Sequence, residues 1–280
     1  MDKRVLISGN RGFIGGHLEN ALREKGYDVI GYDIKDGLDI RDMMAHELWG
    51  VDTVFHLAAQ AKVPLSIEQP YTTNDHNING TLNVLVAARD AGVRRVIYSA
   101  SSSAYGEQDT MPLREDMKPN PMSPYGIQKL VGEMYCKVFS EIFGLQTVSL
   151  RYFNVYGEGM PVDGAYSAAI AVFLKQRSEG KPLTVFGGLQ SRDFTNVSDV
   201  VRANILAMEA DTDWRGEVIN IGGGSEHRII DIAKAISENI EGVEQRKGEP
   251  MRTIADITKA KELLGWEPSV NVIDWLKSQK

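Results

Sequence analysis

An apolar run that ends in three glycines spaced by two residues each allows few backbones. Residues 4–16, RVLISGNRGFIGG, have this form, with Gly9, Gly12 and Gly15. The apolar stretch suits a buried strand. Ile14, Leu18, Ala21 and Leu22 then recur at helical spacing as far as Gly26. The chain must turn from strand into helix within a few residues, and glycine backbones permit such a turn. A strand that feeds a helix in this way begins a βαβ unit, the unit from which parallel sheets are built.

The alternation continues. DVIGYD (28–33), VDTVFHLAA (51–59) and RRVIYSAS (94–101) read as strands, and LQTVSLRYFNVYG (145–157) as a strand and turn. NGTLNVLVAARDAG (79–92) and the stretch 123–144 read as helices. Buried strands flanked by helices predict an α/β fold, a Rossmann-type doubly wound parallel sheet, over residues 1–157. Helices are then expected at 166–180, 198–210 and 229–240, and strands at 183–188 and 217–223, before the tail TKAKELLGWEPS. Residues 158–280 are expected to form a smaller α/β substrate lobe, interleaved with the last sheet strands.

Bulk properties narrow the partners. The 280 residues carry a formal net charge of −7, without the basic excess of a nucleic-acid binder. The single cysteine, Cys136, precludes an intramolecular disulfide and falls in an apolar helical pattern, as a core residue would. No run approaches the ~18 apolar residues of a membrane span, and no signal-peptide pattern opens the chain. These features predict a cytoplasmic protein with no membrane partner and no metal site.

The glycine turn points to a dinucleotide. Glycines let the backbone approach a pyrophosphate, which the helix N-terminus stabilises. Asp33 ends the second strand, where a carboxylate accepts bonds from ribose hydroxyls and repels a 2′-phosphate, favouring NAD. Arg11, between the first two glycines, points the other way, toward a 2′-phosphate or an adenine face. Asp39 and Ile40 could hold the adenine. Leu57, Ala58 and Ala59 offer small residues at a strand end where the cofactor must pass. With Phe13 and Ile14 at the helix start, these residues make up the expected cofactor site. His56, within an apolar strand, reads as core.

SPYGIQK (123–129) places Tyr125 and Lys129 on one helical face. A nearby ammonium favours the phenolate, as does an oxidised nicotinamide, so the Tyr125 pKa is expected to fall and make it a base. Lys129 could also reach the nicotinamide ribose. Ser101, Ser102 and Ser103 end the strand upstream, at the same carboxyl edge of the sheet, with hydroxyls suited to a sugar oxygen or phosphate.

Together GxxGxxG, HLAA, SSSAYG, YxxxK, LRYFNVYG, SRDFTNVSDVVRA and ADITKAKELLGWEP resemble the extended short-chain dehydrogenase/reductase superfamily over essentially the whole chain. The resemblance is closest to nucleotide-sugar 4-epimerases, and GAYSAAI (164–170) resembles the branch acting on UDP-N-acetylhexosamines. It implies a catalytic set of Ser101, Tyr125 and Lys129, with Asn77, Ser99 and Tyr152 at the cofactor. It implies substrate contacts at Asn154, Arg192, and either Arg246 or Arg252, with Glu249 where the family has a ribose-binding Asp. Thr253 falls where the family limits room at the hexose C2, and its small side chain admits an N-acetyl group. A homodimer paired through the helices at 79–92 and 123–143 is implied too.

Extended-family members epimerise, dehydrate, decarboxylate or reduce. Dehydrating relatives carry an acid beside the catalytic hydroxyl; SSSAYG has none, and Glu107 lies beyond the glycine. Epimerisation is therefore expected: Tyr125 takes the 4-OH proton, C4 passes hydride to NAD, Ser101 positions the oxygen, and hydride returns to the other face. A 4,6-dehydratase, a 4-keto reductase and a non-catalytic NAD(H) sensor are the alternatives.

Overall fold

A computed structural model of the protein describes residues 4–161, 169–244 and 250–279. The first half contains β1 (Arg4–Ser8), α1 (Phe13–Glu24), β2 (Asp28–Tyr32), β3 (Val51–His56), α2 (Val63–Glu68), α3 (Pro70–Asn74), α4 (Gly80–Asp90), β4 (Arg95–Ser101), α5 (Pro124–Phe143) and β5 (Gln146–Tyr152). The second half contains β6 (Val155–Tyr156), α6 (Ala169–Ser178), β7 (Leu183–Phe186), β8 (Ser191–Asp193), β9 (Thr195–Asn196), α7 (Val197–Glu209) and β10 (Arg215–Ile221). It ends with β11 (Glu226–Arg228), α8 (Ile229–Ile236), β12 (Ile240–Val243), α9 (Thr258–Leu264) and α10 (Val272–Ser278).

Six strands form one parallel sheet in the order β10-β5-β4-β3-β1-β2. All their carboxyl ends therefore lie along one edge. The chain runs from β1 to β2 on one side and returns to β3 on the other, so the crevice for a ligand opens above β1 and β3. Apolar side chains cover both faces. Leu18 and Leu22 of α1, with Val200 and Ile205 of α7, pack one side; Val84 and Leu85 of α4, with Cys136 and Phe139 of α5, pack the other. A third cluster, including Ile170, Phe173, Leu183 and Ile232, forms the core of the smaller region.

Local chemistry sets the ends of the site-bearing helix. Ser123 caps α5 by accepting from Gly126 N at 3.2 Å, Pro124 occupies its first turn, and Gly144 closes it in the left-handed region at φ 70°. The buried Arg95 at the start of β4 donates to the carbonyls of Ala207 and Met208 at 2.8 and 2.7 Å, satisfying the end of α7.

Two differences from the sequence reading have clear causes. The helix expected over 229–240 stops at Ile236, and Ile240–Val243 instead pairs in parallel with β7. Its β-branched ends fit the pleated surface that β7 offers, and periodicity could not show that partner. The helix expected from residue 79 is preceded by a π turn, Asp75–Asn79, which places Asn77 inward.

Candidate active site

The glycine turn is a tight cradle. Gly9 (φ 80°) donates its N–H to Tyr32 O at 2.8 Å, and Gly12 donates to Gly9 O at 3.0 Å. A Cβ on Gly15 would stand 2.1 Å from Gly9 O, and one on Gly9 would stand 2.7 Å from Ala58 N. Leu57 N donates to Ser8 O at 3.0 Å, which brings Leu57, Ala58 and Ala59 alongside the turn. Asp33 is buried at the tip of β2 and accepts from the amides of Arg11 (3.0 Å) and Lys35 (2.9 Å). The Arg11 side chain is drawn to Asp36, with Nε to Oδ2 at 2.9 Å. Both oxygens of Asp39 are taken up by Arg41, which also reaches Asp75 at 2.5 Å. The buried Ile40 packs against the start of α4 at Gly80.

The three residues expected to do chemistry meet at the end of β4. Ser101 acts on the Tyr125 phenol, lowering its pKa, and its Oγ donates to Ser103 Oγ at 3.0 Å. Lys129 Nζ donates to Ser99 O at 2.7 Å, two residues before Ser101, and lies 4.9 Å from the centre of the Tyr98 ring. Ser99 Oγ donates to the Tyr152 hydroxyl at 3.1 Å, which itself donates to Asn204 Oδ1. Ser102 and Ser103 sit in a short 3-10 turn, half-buried.

One expectation is corrected. Burial pushes the Tyr125 phenol up to about 12, and the Ser101 bond pulls it back only partly. Burial likewise brings Lys129 down to about 8. The ammonium is spent on the Ser99 carbonyl, and burial sets the phenol.

A buried polar chain joins this centre to the glycine turn. Ser8 Oγ lies 2.7 Å from His56 Nδ1, His56 Nε2 lies 2.9 Å from Thr81 Oγ1, and Thr81 Oγ1 donates to Asn77 O. Since Thr81 spends its proton on Asn77, His56 must donate from Nε2 and accept from Ser8. Burial holds His56 at about 3, hence neutral and structural, as its apolar setting implied. Asn77 Nδ2 then donates to Gln128 Oε1 at 2.7 Å, between Tyr125 and Lys129 on α5.

The residues expected on the substrate side gather around β8. Asn154, at φ 30°, donates to Asp193 O at 2.7 Å. Arg192 Nη1 donates to Ser191 O and Pro250 O at 3.0 and 2.8 Å. Thr253 is buried, with its hydroxyl 3.4 Å from Asp193 N, and so faces the backbone of β8. Arg252 is exposed and paired with Glu226. Arg246 and Glu249 lie outside the described residues, as does most of GAYSAAI.

Comparison with known proteins decides the family. A model of the NAD dependent epimerase/dehydratase family matches residues 5–222. The chain belongs to this family. Among solved structures it is similar to a UDP-glucose 4-epimerase with UDP-glucose from Thermotoga maritima. That likeness has 37% identity and a TM-score of 0.91, over 98% of this chain and 96% of the other. A UDP-N-acetylglucosamine 4-epimerase from Methanobrevibacter ruminantium, in complex with UDP-N-acetylmuramic acid, matches at 32% identity and TM-score 0.91, over 100% and 99%. A UDP-glucuronic acid 4-epimerase from Bacillus cereus, with UDP-glucuronic acid and NAD, matches at 36% and 0.89, over 99% and 97%.

The protein is thus an enzyme with NAD as its cofactor, and its residues fit that group. The N-terminus of α1 has no side-chain cap and no acid in its first turn, leaving its dipole for a pyrophosphate. The cradle leaves no space for side chains at Gly9 and Gly15. Arg11 is held by Asp36, which leaves Asp33 as the charge at the tip of β2.

Sequence reasoning passed over three side chains. Gln128 holds Asn77. Glu133, one turn beyond Lys129, pairs with Arg151 in the interior at 2.7 Å. Asp193 accepts the amides of Gly223, Gly224 and Ala255. A charge on the apolar face of α5 was a signal for Glu133; Asp193 was visible only as part of SRDF.

Proposed function

We propose that the protein is a UDP-hexose 4-epimerase that interconverts UDP-GlcNAc and UDP-GalNAc, UDP-glucose and UDP-galactose, or both, through a transient 4-keto sugar. The observation that carries this reading is the meeting of Ser101, Tyr125 and Lys129 at one strand end beside the glycine cradle. The relatives named for UDP-glucose, UDP-N-acetylglucosamine and UDP-glucuronic acid support a UDP-sugar and leave the hexose open.

When bound, NAD supplies the hydride acceptor and donor at the sugar C4. Tyr125 exchanges a proton with the 4-hydroxyl, and Ser101 holds the same oxygen. Lys129, buried with its ammonium on the Ser99 carbonyl, completes the set. The neighbours of Ser101 in the turn are Ser102, Ser103 and Ala104, none able to protonate a leaving hydroxyl at C6. That chemistry favours epimerisation over dehydration. A homodimer through α5 is part of the proposal. Ile127, Met134, Val138 and Ile142 form an exposed apolar stripe on that helix, and a second copy would cover it.

The test uses purified protein without added cofactor and an equimolar mixture of UDP-glucose and UDP-GlcNAc, followed by the anomeric proton signals in NMR. New galacto-configured signals are expected, and they identify the preferred sugar. Silence on both sugars, before and after NAD is added, overturns the proposal.

A further inference from the structure

The residues expected to hold the substrate share one neighbour that no motif assigned to binding. Asp193 is fully buried at the end of β8, next to Arg192. Its Oδ1 accepts from Gly223 N at 2.5 Å, and its Oδ2 from Gly224 N at 3.0 Å and Ala255 N at 2.9 Å. Its backbone serves two more partners. The carbonyl accepts from Asn154 Nδ2, and the N–H donates to Thr253 Oγ1. One residue therefore joins the turn after β5, the glycine turn after β10, and the segment 250–256.

That segment lies between two others. On one side it follows β8: Ser191 N donates to Met251 O at 2.9 Å, Thr253 N to Ser191 O at 3.3 Å, and Arg192 Nη1 to Pro250 O. On the other it meets the loop after the serine turn: Leu113 N donates to Ile254 O at 2.7 Å, Asp256 N to Leu113 O at 2.9 Å, and Met251 N to Glu107 Oε2. The 250–256 strap thus spans from the arginine strand to the loop that follows Ser101–Tyr105. Its last fastening on the β8 side is the bond from Ala255 to Asp193.

We propose that Asp193 is a positioning residue that latches the 250–256 strap against β8 and so sets Arg192 and Asn154 for the diphosphate of the nucleotide sugar. This rests on the UDP-sugar reading above. A carboxylate suits the role because its two oxygens accept three amides at once, which a neutral amide of the same shape cannot do. With Asn at this position one site turns from acceptor to donor and meets an N–H head-on. A buried amide then loses its partner, and the strap loosens where Pro250 holds Arg192.

The experiment measures UDP binding by calorimetry to the NAD-loaded protein and to D193N, T253V and T253S, with bound NAD and thermal midpoint recorded for each. UDP lacks the hexose, so any contact of Thr253 with a sugar does not enter. D193N is expected to bind UDP more weakly by on the order of tenfold while keeping its NAD. T253V, which removes only the acceptor for Asp193 N, should weaken binding in the same direction by a smaller factor. T253S should restore it. If D193N does not fold, the T253V and T253S pair carries the test alone. Wild-type affinity in D193N, or in T253V should D193N not fold, overturns the latch even if the thermal midpoint falls. A wild-type protein that binds NAD and no UDP overturns the nucleotide-sugar reading instead.

Discussion

Glu133→Gln takes one charge from a pair that sees almost no water. The two side chains are 4% and 3% exposed, and both carboxylate oxygens are engaged, at 2.8 and 2.7 Å, by Nε and Nη2 of Arg151. The guanidinium also lies 4.4 Å over the Tyr105 ring, whose hydroxyl donates to Asn220. Glutamine keeps the shape and leaves the guanidinium as an uncompensated buried charge, a change that costs about 3–5 kcal/mol. Against a total stability of about 5–15 kcal/mol this is a large share. At about 2–4 °C per kcal/mol for a chain of this size, the melting point should fall by roughly 6–20 °C. The double variant E133L/R151M removes both charges and fills the space, so most of the loss should return. Thermal unfolding of the NAD-loaded wild type, single and double variants near neutral pH reads all three. A single variant within about 1 kcal/mol of wild type refutes the argument from desolvation. A double variant as unstable as the single one shows that packing, not charge, is decisive. The carboxylate of Glu133 also favours the Lys129 ammonium, against burial. Its removal should move the loss of the Lys129 proton to lower pH, visible as a shifted limb of the pH–rate profile.

Two further outcomes follow from the site. Gly15→Ala drives a methyl to 2.1 Å from Gly9 O, so the cradle must open. That variant should purify with little bound NAD by absorbance and mass analysis, and full retention would refute the cradle. His56 titrates at about 3 when folded against 6.5 unfolded. Its depressed pKa contributes stability that is present above pH 6.5 and lost as pH falls toward 3. The difference of 6.5 − 3 units corresponds to at most about 5 kcal/mol. Urea unfolding across that window should be less steep in pH for His56→Gln than for wild type; equal slopes would show that His56 is charged when folded.

The candidate cofactor site was legible because its signals are local. GxxGxxG, Asp33 and the Tyr125–Lys129 spacing each lie within one turn or one helix face, and a parallel sheet carries all of them to one edge. Ser99 and Tyr152 could be assigned only by resemblance, yet the pairing of β4 with β5 puts them within hydrogen-bond reach. The substrate half was less legible. Thr253 was assigned by its place in the chain, and its hydroxyl turns out to serve the backbone of β8.

The order of apolar runs and glycines by itself determined a parallel α/β sheet and the glycine turn at its edge. These rest on backbone sterics and on periods of two and 3.6 residues, which act between near neighbours in the chain. Tertiary structure alone decided the balance of charges. It set Lys129 on a carbonyl, raised the Tyr125 phenol, paired Glu133 with Arg151 across 18 positions, and closed three distant amides around Asp193. Such effects depend on how much water remains and on which groups converge, and both are settled only when the layers pack.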